Sequence, residues 1–414
     1  MFFRMHIGLA MAFVGFIGTL YILGIDKSLA MLGTVPYSSV ASYLTSPLPM
    51  FLFMGAIVAN TGIGEDLYRT GYTLVGQMRG GLAMSTVIAC GGFAAICGSS
   101  MATAITIGKI GLPEMEKYKY DPALATGSVA AGGTLGILIP PSLGFILYAI
   151  LTQQSIAKLF MAGIIPGILQ MVLYISLIFI LCRINPLLGP GGPKTSLKEK
   201  IISLKYTWTV LVLFLVVIGG IYTGIFTATE AGAVGVFGAI VISFVSRKLT
   251  FKNLRTAVLQ TGENTAMLLL ILVGGFILNF FMASSGLPSA IGELVTSLPV
   301  SRYVTLGAII VMYLILGMLM DSNGALVLTT PVIFPVVMAM GFDPIWYGVL
   351  MVMLIEIGMI TPPVGMNVFA LAAVSDTPMG TIFRGIIPFV FADLILVVIV
   401  VAFPMIALFI PNLM

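Results

Sequence analysis

Residues 222 positions apart match along much of this chain without a gap. Ser100 matches Ser322, Pro113 matches Pro335, and Asp121-Pro122 matches Asp343-Pro344. Gly136 matches Gly358, Pro140-Pro141 matches Pro362-Pro363, and Gly163-Ile164-Ile165-Pro166 matches Gly385-Ile386-Ile387-Pro388. Most of these residues break or cap helices rather than fill apolar space. Two copies of one interrupted membrane unit imply a carrier whose site lies between the repeats.

Composition excludes a soluble reading. The 414 residues are 59% hydrophobic and 8% charged, with a mean hydropathy of +1.15. Apolar runs of about 17–25 residues, each long enough to cross a bilayer core, recur from end to end. Cys90, Cys97 and Cys182 are odd in number and dispersed, which argues against a disulfide framework or a zinc site. The single histidine, His6, falls at the interfacial start of the first apolar run and leaves no histidine metal cluster or Ser-His relay. No cleaved signal is expected at the N-terminus.

The fold class this implies is all-α. We expect a polytopic membrane protein of two inverted repeats, each with a re-entrant helical hairpin and a helix broken at Pro-Pro. Full spans are expected near 8–24, 47–63, 121–150, 158–182, 206–224, 229–246, 262–283, 343–373 and 380–412. The apolar stretches 82–112 and 303–340 are interrupted at Gly98-Ser99-Ser100 and Asp321-Ser322-Asn323-Gly324, and each half is too short to cross alone. Both are expected to be hairpins. Repeat one then covers 1–182 and repeat two 206–414. Residues 183–205 form a cytoplasmic linker carrying an amphipathic helix, and 28–45 and 250–261 are candidate lateral arms. With five crossings between matched elements, sixteen basic residues, including Arg4 and Lys194, fall on one side. Only Lys27, Lys158 and Arg302 fall on the other, which makes the rich side cytoplasmic. The second copy opens with a helix, 206–224, that has no counterpart before 8–24. A missing opening helix is therefore expected, to be checked by a longer start upstream in the gene.

Irregular backbone at membrane depth must be buried or line a cavity. Four such points occur, at 98–103, 136–142, 321–325 and 358–367. Freed carbonyls and short polar side chains there suit a small hard cation, and helix N-termini suit an anion. The repeat suggests two cation sites. The first uses Ser99 and Ser100 with Gly136, Ile139 and Pro141; the second uses Asp321, Ser322 and Asn323 with Gly358, Thr361 and Pro363. Ser142, Met366 and Asn367 follow the breaks and are candidates to face substrate. Glu356, matched by Thr134, is left open between a proton or cation ligand and a structural carboxylate. Glu230 reads as a helix-capping carboxylate, and Asp393 has no assigned role.

The stretches GGFAAICGSSMATA at 91–104, GTLGILIPPS at 133–142, GGIYTGIFTATEAGAVG at 219–235, LGMLMDSNGALVLTTPVIFP at 316–335 and GMITPPVGMNVF at 358–369 resemble one family. It is the large membrane subunit of tripartite ATP-independent periplasmic (TRAP) transporters, and the resemblance covers essentially the whole chain. It implies a multi-pass protein of a bacterial or archaeal inner membrane with an elevator-type transport domain. It also implies coupling to sodium, a small four-helix membrane partner, and a periplasmic binding protein that delivers a small carboxylate. Cys97 stands where related chains often carry a hydroxyl.

The expected function is therefore secondary active uptake, with sodium as coupling ion, no other cofactor and no nucleic-acid partner. The alternative is a stand-alone sodium- or proton-coupled anion symporter of a related elevator fold. A membrane-embedded hydrolase is disfavoured because no nucleophile and base are paired within the spans. A channel would give single-channel currents instead of saturable uptake. The only Gly-Lys dipeptide, Gly108-Lys109, lacks the surrounding pattern of a phosphate-binding loop.

Overall fold

A computed structural model describes residues 5–193, 195–297 and 299–414. Arg4 and Lys194, two of the sixteen basic residues counted above, lie outside them. In chain order the helices are α1 Ile7–Leu23, α2 Ile25–Val40, α3 Pro47–Asn60, α4 Ile63–Val75, α5 Gly81–Cys97, α6 Ser100–Lys117, α7 Pro122–Leu138, α8 Leu143–Thr152, α9 Ile156–Ile184 and α10 Leu197–Tyr222. There follow α11 Ala228–Val245, α12 Phe251–Ser285, α13 Leu287–Ser297, α14 Arg302–Leu319, α15 Ser322–Ala339, α16 Pro344–Ile360, α17 Met366–Ala372, α18 Met379–Ala402 and α19 Met405–Leu408. Among the described residues eight helices are long and apolar enough to cross a membrane, or nine if the bent α10 is one span.

Proline and capping residues set the breaks. Pro140 and Pro141 cannot donate to Gly136 and Ile137, and a residue before proline avoids the helical region. Accordingly α7 stops at Leu138 and Ile139 is extended, with φ −76° and ψ 124°. Thr361, before Pro362, is extended in the same way at φ −93° and ψ 138°. Both Pro-Pro bonds are cis. Asp121 and Asp343 cap the helices that lead into the breaks, each accepting two backbone N–H groups. The two interrupted stretches are helix pairs, α5–α6 and α14–α15. In the first, Gly98 adopts a left-handed φ of 66°, which ends α5, and Ser99 caps α6. In the second, Met320 and Asp321 are extended, and Asp321 caps α15 through Gly324 N–H at 3.0 Å.

Five sequence expectations change. The halves of the second interrupted stretch, α14 and α15, have 18 residues each and are among the helices long enough to cross alone, against the expectation that each half is too short. The separate arm at 250–261 and span at 262–283 are one continuous helix, α12, because nothing between them breaks it. In the first copy the equivalent stretch does break after Val40, at Ala41-Ser42, and restarts at Pro47. The linker helix is the opening of α10 rather than a separate element, started by a capping box between Ser196 and Glu199. It bends by 52° between Lys205 and Thr207. The last span ends at Ala402, ahead of Pro404, rather than at 412. Two short helices, α4 and α13, were not foreseen; they pack on α5 and α15.

The centre of the molecule is α7. Fifteen of its 17 residues are buried, and its glycines and alanines let neighbouring backbones approach closely. A side chain at Gly133 would sit 2.7 Å from Ala104 Cβ and 3.1 Å from the Ser100 carbonyl. The outer helices use the same device: a Cβ at Gly15 of α1 would lie 2.7 Å from Leu278 N of α12. Lys248 Nζ lies 2.5 Å from Asp66 Oδ2, with both side chains about a third or less exposed. Lys248→Met is expected to cost no more than about 1 kcal/mol, seen as a small Tm shift in detergent.

Candidate functional site

The first hairpin tip is fastened to its own broken helix. Leu143 N–H donates to the Gly98 carbonyl at 3.4 Å, and a Cβ on Gly98 would lie 2.7 Å from the Pro141 carbonyl oxygen. A Cβ on Gly136 would lie 2.6 Å from the Ser99 carbonyl and 2.7 Å from Thr103 Oγ1. Thr103 in turn donates its hydroxyl to that Ser99 carbonyl at 2.7 Å. Ser99, Gly136 and Pro141 are therefore brought together. Ser100 and Ile139 flank them, and Pro140, Pro141 and Ser142 are buried. The Ser99 carbonyl already accepts both the Thr103 hydroxyl and the Thr103 N–H.

The second set is more open. A glycine crossing holds α14 to α16: a Cβ on Gly317 would lie 3.0 Å from Gly358 Cα. Thr361 is half-buried and spends its N–H on the Gly358 carbonyl at 3.1 Å and its hydroxyl on the Ile357 carbonyl at 2.5 Å. Pro362 and Pro363 are exposed. The Asp321 carboxylate caps its own helix and lines an apolar cavity of about 820 Å³ together with His6, Ile7, Met320 and residues of α12. Ser322 and Asn323 line a different, small cavity beside Ile355 and Glu356. The two halves of the second set thus face two spaces.

The candidate substrate residues sit deeper than expected. Ser142 is fully buried and caps α8, accepting Phe145 N–H at 3.3 Å. Asn367 is fully buried and donates its amide to Ser100 Oγ at 2.6 Å and to the Ala130 carbonyl at 3.4 Å. It joins the second break to the first hairpin tip. Met366 is half-buried beside it.

A polar cavity of about 540 Å³ opens instead between the first hairpin and the outer helices. Its walls include Cys97 and Ser99 at the tip, Lys109 further along α6, Asn60 and Glu65 on α3 and α4, and Gln260, Glu263 and Asn264 on α12. Asn60 Nδ2 donates to Gln260 Oε1 at 2.9 Å. The volume falls within the roughly 300–1,000 Å³ of small-molecule sites. Gln260, Glu263 and Asn264 follow i, i+3, i+4 spacing on one helix face. That spacing was available in the sequence, but dividing α12 at residue 261 concealed it.

A separate polar cluster ties the repeats together. Asp393 of α18 accepts Tyr174 Oη at 2.7 Å and Gln170 Nε2 at 2.9 Å, both from α9. Thr134 of α7 lies 3.2 Å from Tyr174 Oη. Asp393 is thus paired with a neighbouring helix. Glu230 reaches back to the N–H of Thr227 and completes a capping box at the start of α11. Among the described residues no group of three or more His, Cys, Asp or Glu is placed to hold a metal.

Comparison with known proteins agrees with this architecture. Residues 1–406 match the family model described as "Tripartite ATP-independent periplasmic transporter, DctM component". The C4-dicarboxylate TRAP transporter large permease protein DctM of Pseudomonas aeruginosa is 37% identical over 371 residues, 89% of this chain and 86% of that protein. The sialic acid TRAP transporter large permease protein SiaM of Vibrio cholerae is 31% identical over 88% of this chain and 86% of its own length. The crystal structure of the Alcanivorax borkumensis YdaH transporter superposes with a TM-score of 0.67 at 15% identity, covering 99% of both chains, and supports the fold alone. An all-helical chain with hairpins and Pro-Pro breaks repeated at one offset, matched from end to end, belongs to the DctM family of TRAP transporter large permeases and is a multi-pass membrane transporter component, not an enzyme.

Proposed function

We propose that this chain carries out sodium-coupled uptake of a small organic anion across a bacterial or archaeal inner membrane. A periplasmic binding protein would deliver the anion, and a small four-helix membrane subunit would assist. The observation that carries this reading is the polar cavity at the first hairpin tip. Ser99 and the N-terminus of α6 open onto it, and helix N-termini favour negative charge. Lys109 and the amides of Gln260 and Asn264 supply further donors, beside the carboxylates of Glu65 and Glu263. The relatives' named substrates, C4-dicarboxylate and sialic acid, are acids of a size such a cavity admits. Sodium would bind at the junctions of hairpin tips and breaks. For the first site these are Ser99, Ser100, Gly136, Ile139 and Pro141; for the second, Asp321, Ser322, Asn323, Gly358, Thr361 and Pro363.

Coupling follows from order. A tip held on its break by a cation closes one wall of the cavity, so substrate and sodium bind better together. The hairpins and broken helices would then move as one body against the remaining helices, an elevator stroke. The membrane potential contributes about 2.3 kcal/mol per inward charge per 100 mV.

Uptake in proteoliposomes with the cognate partners tests this reading. Wild type is expected to need sodium, and Ser99→Ala and Asp321→Ala to shift its sodium dependence. Normal sodium curves in both variants would remove the assigned cation sites. Gln260→Leu is expected to raise the substrate KM about tenfold, the loss of one hydrogen bond to a charged group. An unchanged KM would place the substrate elsewhere. Uptake by the chain alone, without a binding protein, would favour a stand-alone symporter.

A further inference from the structure

We propose that Glu356 is the carboxylate of a third cation site, for a monovalent ion of sodium size, shared by the second hairpin tip and the first break. It rests on the sodium-coupled reading above and moves Ser322 and Asn323, grouped there with Asp321, to a cavity of their own with Glu356, which Asp321 does not line. Glu356 is 1% exposed, and neither carboxylate oxygen has a hydrogen-bond partner. The contrast with Asp393 is informative. Asp393 is equally buried but receives Tyr174 and Gln170, so its charge is met by donors. No side chain donates to Glu356, and a buried charge without such donors or a counter-ion is not stable.

The walls around Glu356 are mostly hydrocarbon, and Ser322 and Asn323 are the polar residues among them. Glu356 lines a small cavity with Ser322 and Asn323 from the second tip and with Ile137 and Gly144 from either side of the first break. The cavity has about 10 Å³ for a probe of water size, the space of a single small occupant. Pro141 has no N–H to offer the Ile137 carbonyl, which is therefore free of its helical partner. A carboxylate, a hydroxyl, an amide oxygen and a freed carbonyl form an oxygen set for a hard cation. One carboxylate balances one positive charge, which selects a monovalent ion. The matched residue in the other copy is Thr134, whose hydroxyl is spent on the Ala131 carbonyl at 2.6 Å. The site therefore occurs once, not twice. An ion there would tie the second tip to the first break and make both tips respond to a single binding event.

The test is sodium binding to the purified full chain, held at one alkaline pH with potassium replacing sodium. It is read by ²²Na⁺ binding stoichiometry and by melting temperature across a sodium titration. Glu356→Gln keeps the shape and removes the charge. We expect it to bind one fewer sodium per chain, with half-saturation of the thermal shift raised at least about tenfold. In potassium it should melt at or above wild type. Glu356→Asp should fall between the two, and it decides the question by the same readouts if Glu356→Gln does not purify. An unaltered stoichiometry and titration would overturn the site, whatever happens to the melting temperature. A wild type that ignores sodium would overturn the sodium reading itself and this site with it.

Discussion

Gly385→Val is expected to abolish accumulation of folded protein in the membrane. A Cβ at Gly385 of α18 would fall on the backbone of Ala123 of α7, 3.1 Å from its Cα and closer still to its carbonyl. Reciprocally, a Cβ on Gly127 would lie 2.5 Å from the Gly385 carbonyl carbon and 3.0 Å from its Cα. Each obstacle is main chain, which cannot rotate away as a side chain can. The helices would have to separate along α7, of whose 17 residues 15 are buried. Overpacking of a core commonly costs about 1–3 kcal/mol, and rigid backbone on both sides puts this case at or above the upper end. Gly307→Ala is the control. Gly307 lies inside α14 with nothing within 4 Å of an added Cβ, so it should be neutral or gain about 0.5–1 kcal/mol from helix propensity. Fluorescence-detected size exclusion of membrane extracts compares them. A monodisperse peak of wild-type height for Gly385→Val would refute close packing at this crossing.

The same glycine shows what a sequence match does and does not carry. Gly163 and Gly385 occupy matched positions, and both are places where another chain segment comes too near for a side chain. Their neighbours differ: Gly163 faces the Leu138 carbonyl and Phe145 at its own repeat's break, whereas Gly385 faces α7 of the other repeat. Breaks, caps and hairpin tips were legible because proline, glycine, serine and aspartate act on their own few residues. Whether α12 stays continuous was not legible, since no residue near 261 forces either outcome. The amphipathic α4 and α13 were missed because neither is apolar enough to resemble a span. They are helices because one face meets a hairpin arm. For the site, the residues proposed as the first cation set could be named from sequence, because they lie within the breaks themselves. The outer wall of the polar cavity was not, because Asn60 and Gln260 meet across a distance in sequence that no local rule spans.

Asn367→Ala is expected to reduce uptake at least about tenfold while leaving most of the protein folded. Asn367 is fully buried at the start of α17, and its amide reaches Ser100 Oγ at 2.6 Å. That hydrogen bond ties the broken helix of the second repeat to the hairpin tip of the first. Ser100 stands beside Ser99 in the proposed first cation set, so Asn367 fixes the rotamer of a group next to the ion. Removing the amide leaves the Ser100 hydroxyl free to turn. The loss should therefore appear as a weaker sodium response as well as a slower rate. Ser100→Ala and Asn367→Ala should not add: once either partner is gone, the other has little left to lose, and the double variant should resemble the worse single one. A coupling of about 1–3 kcal/mol in half-saturating sodium is the expected size for contacting polar residues. Additive losses would show that the two residues act separately, and that the second break does not reach the first tip through Asn367.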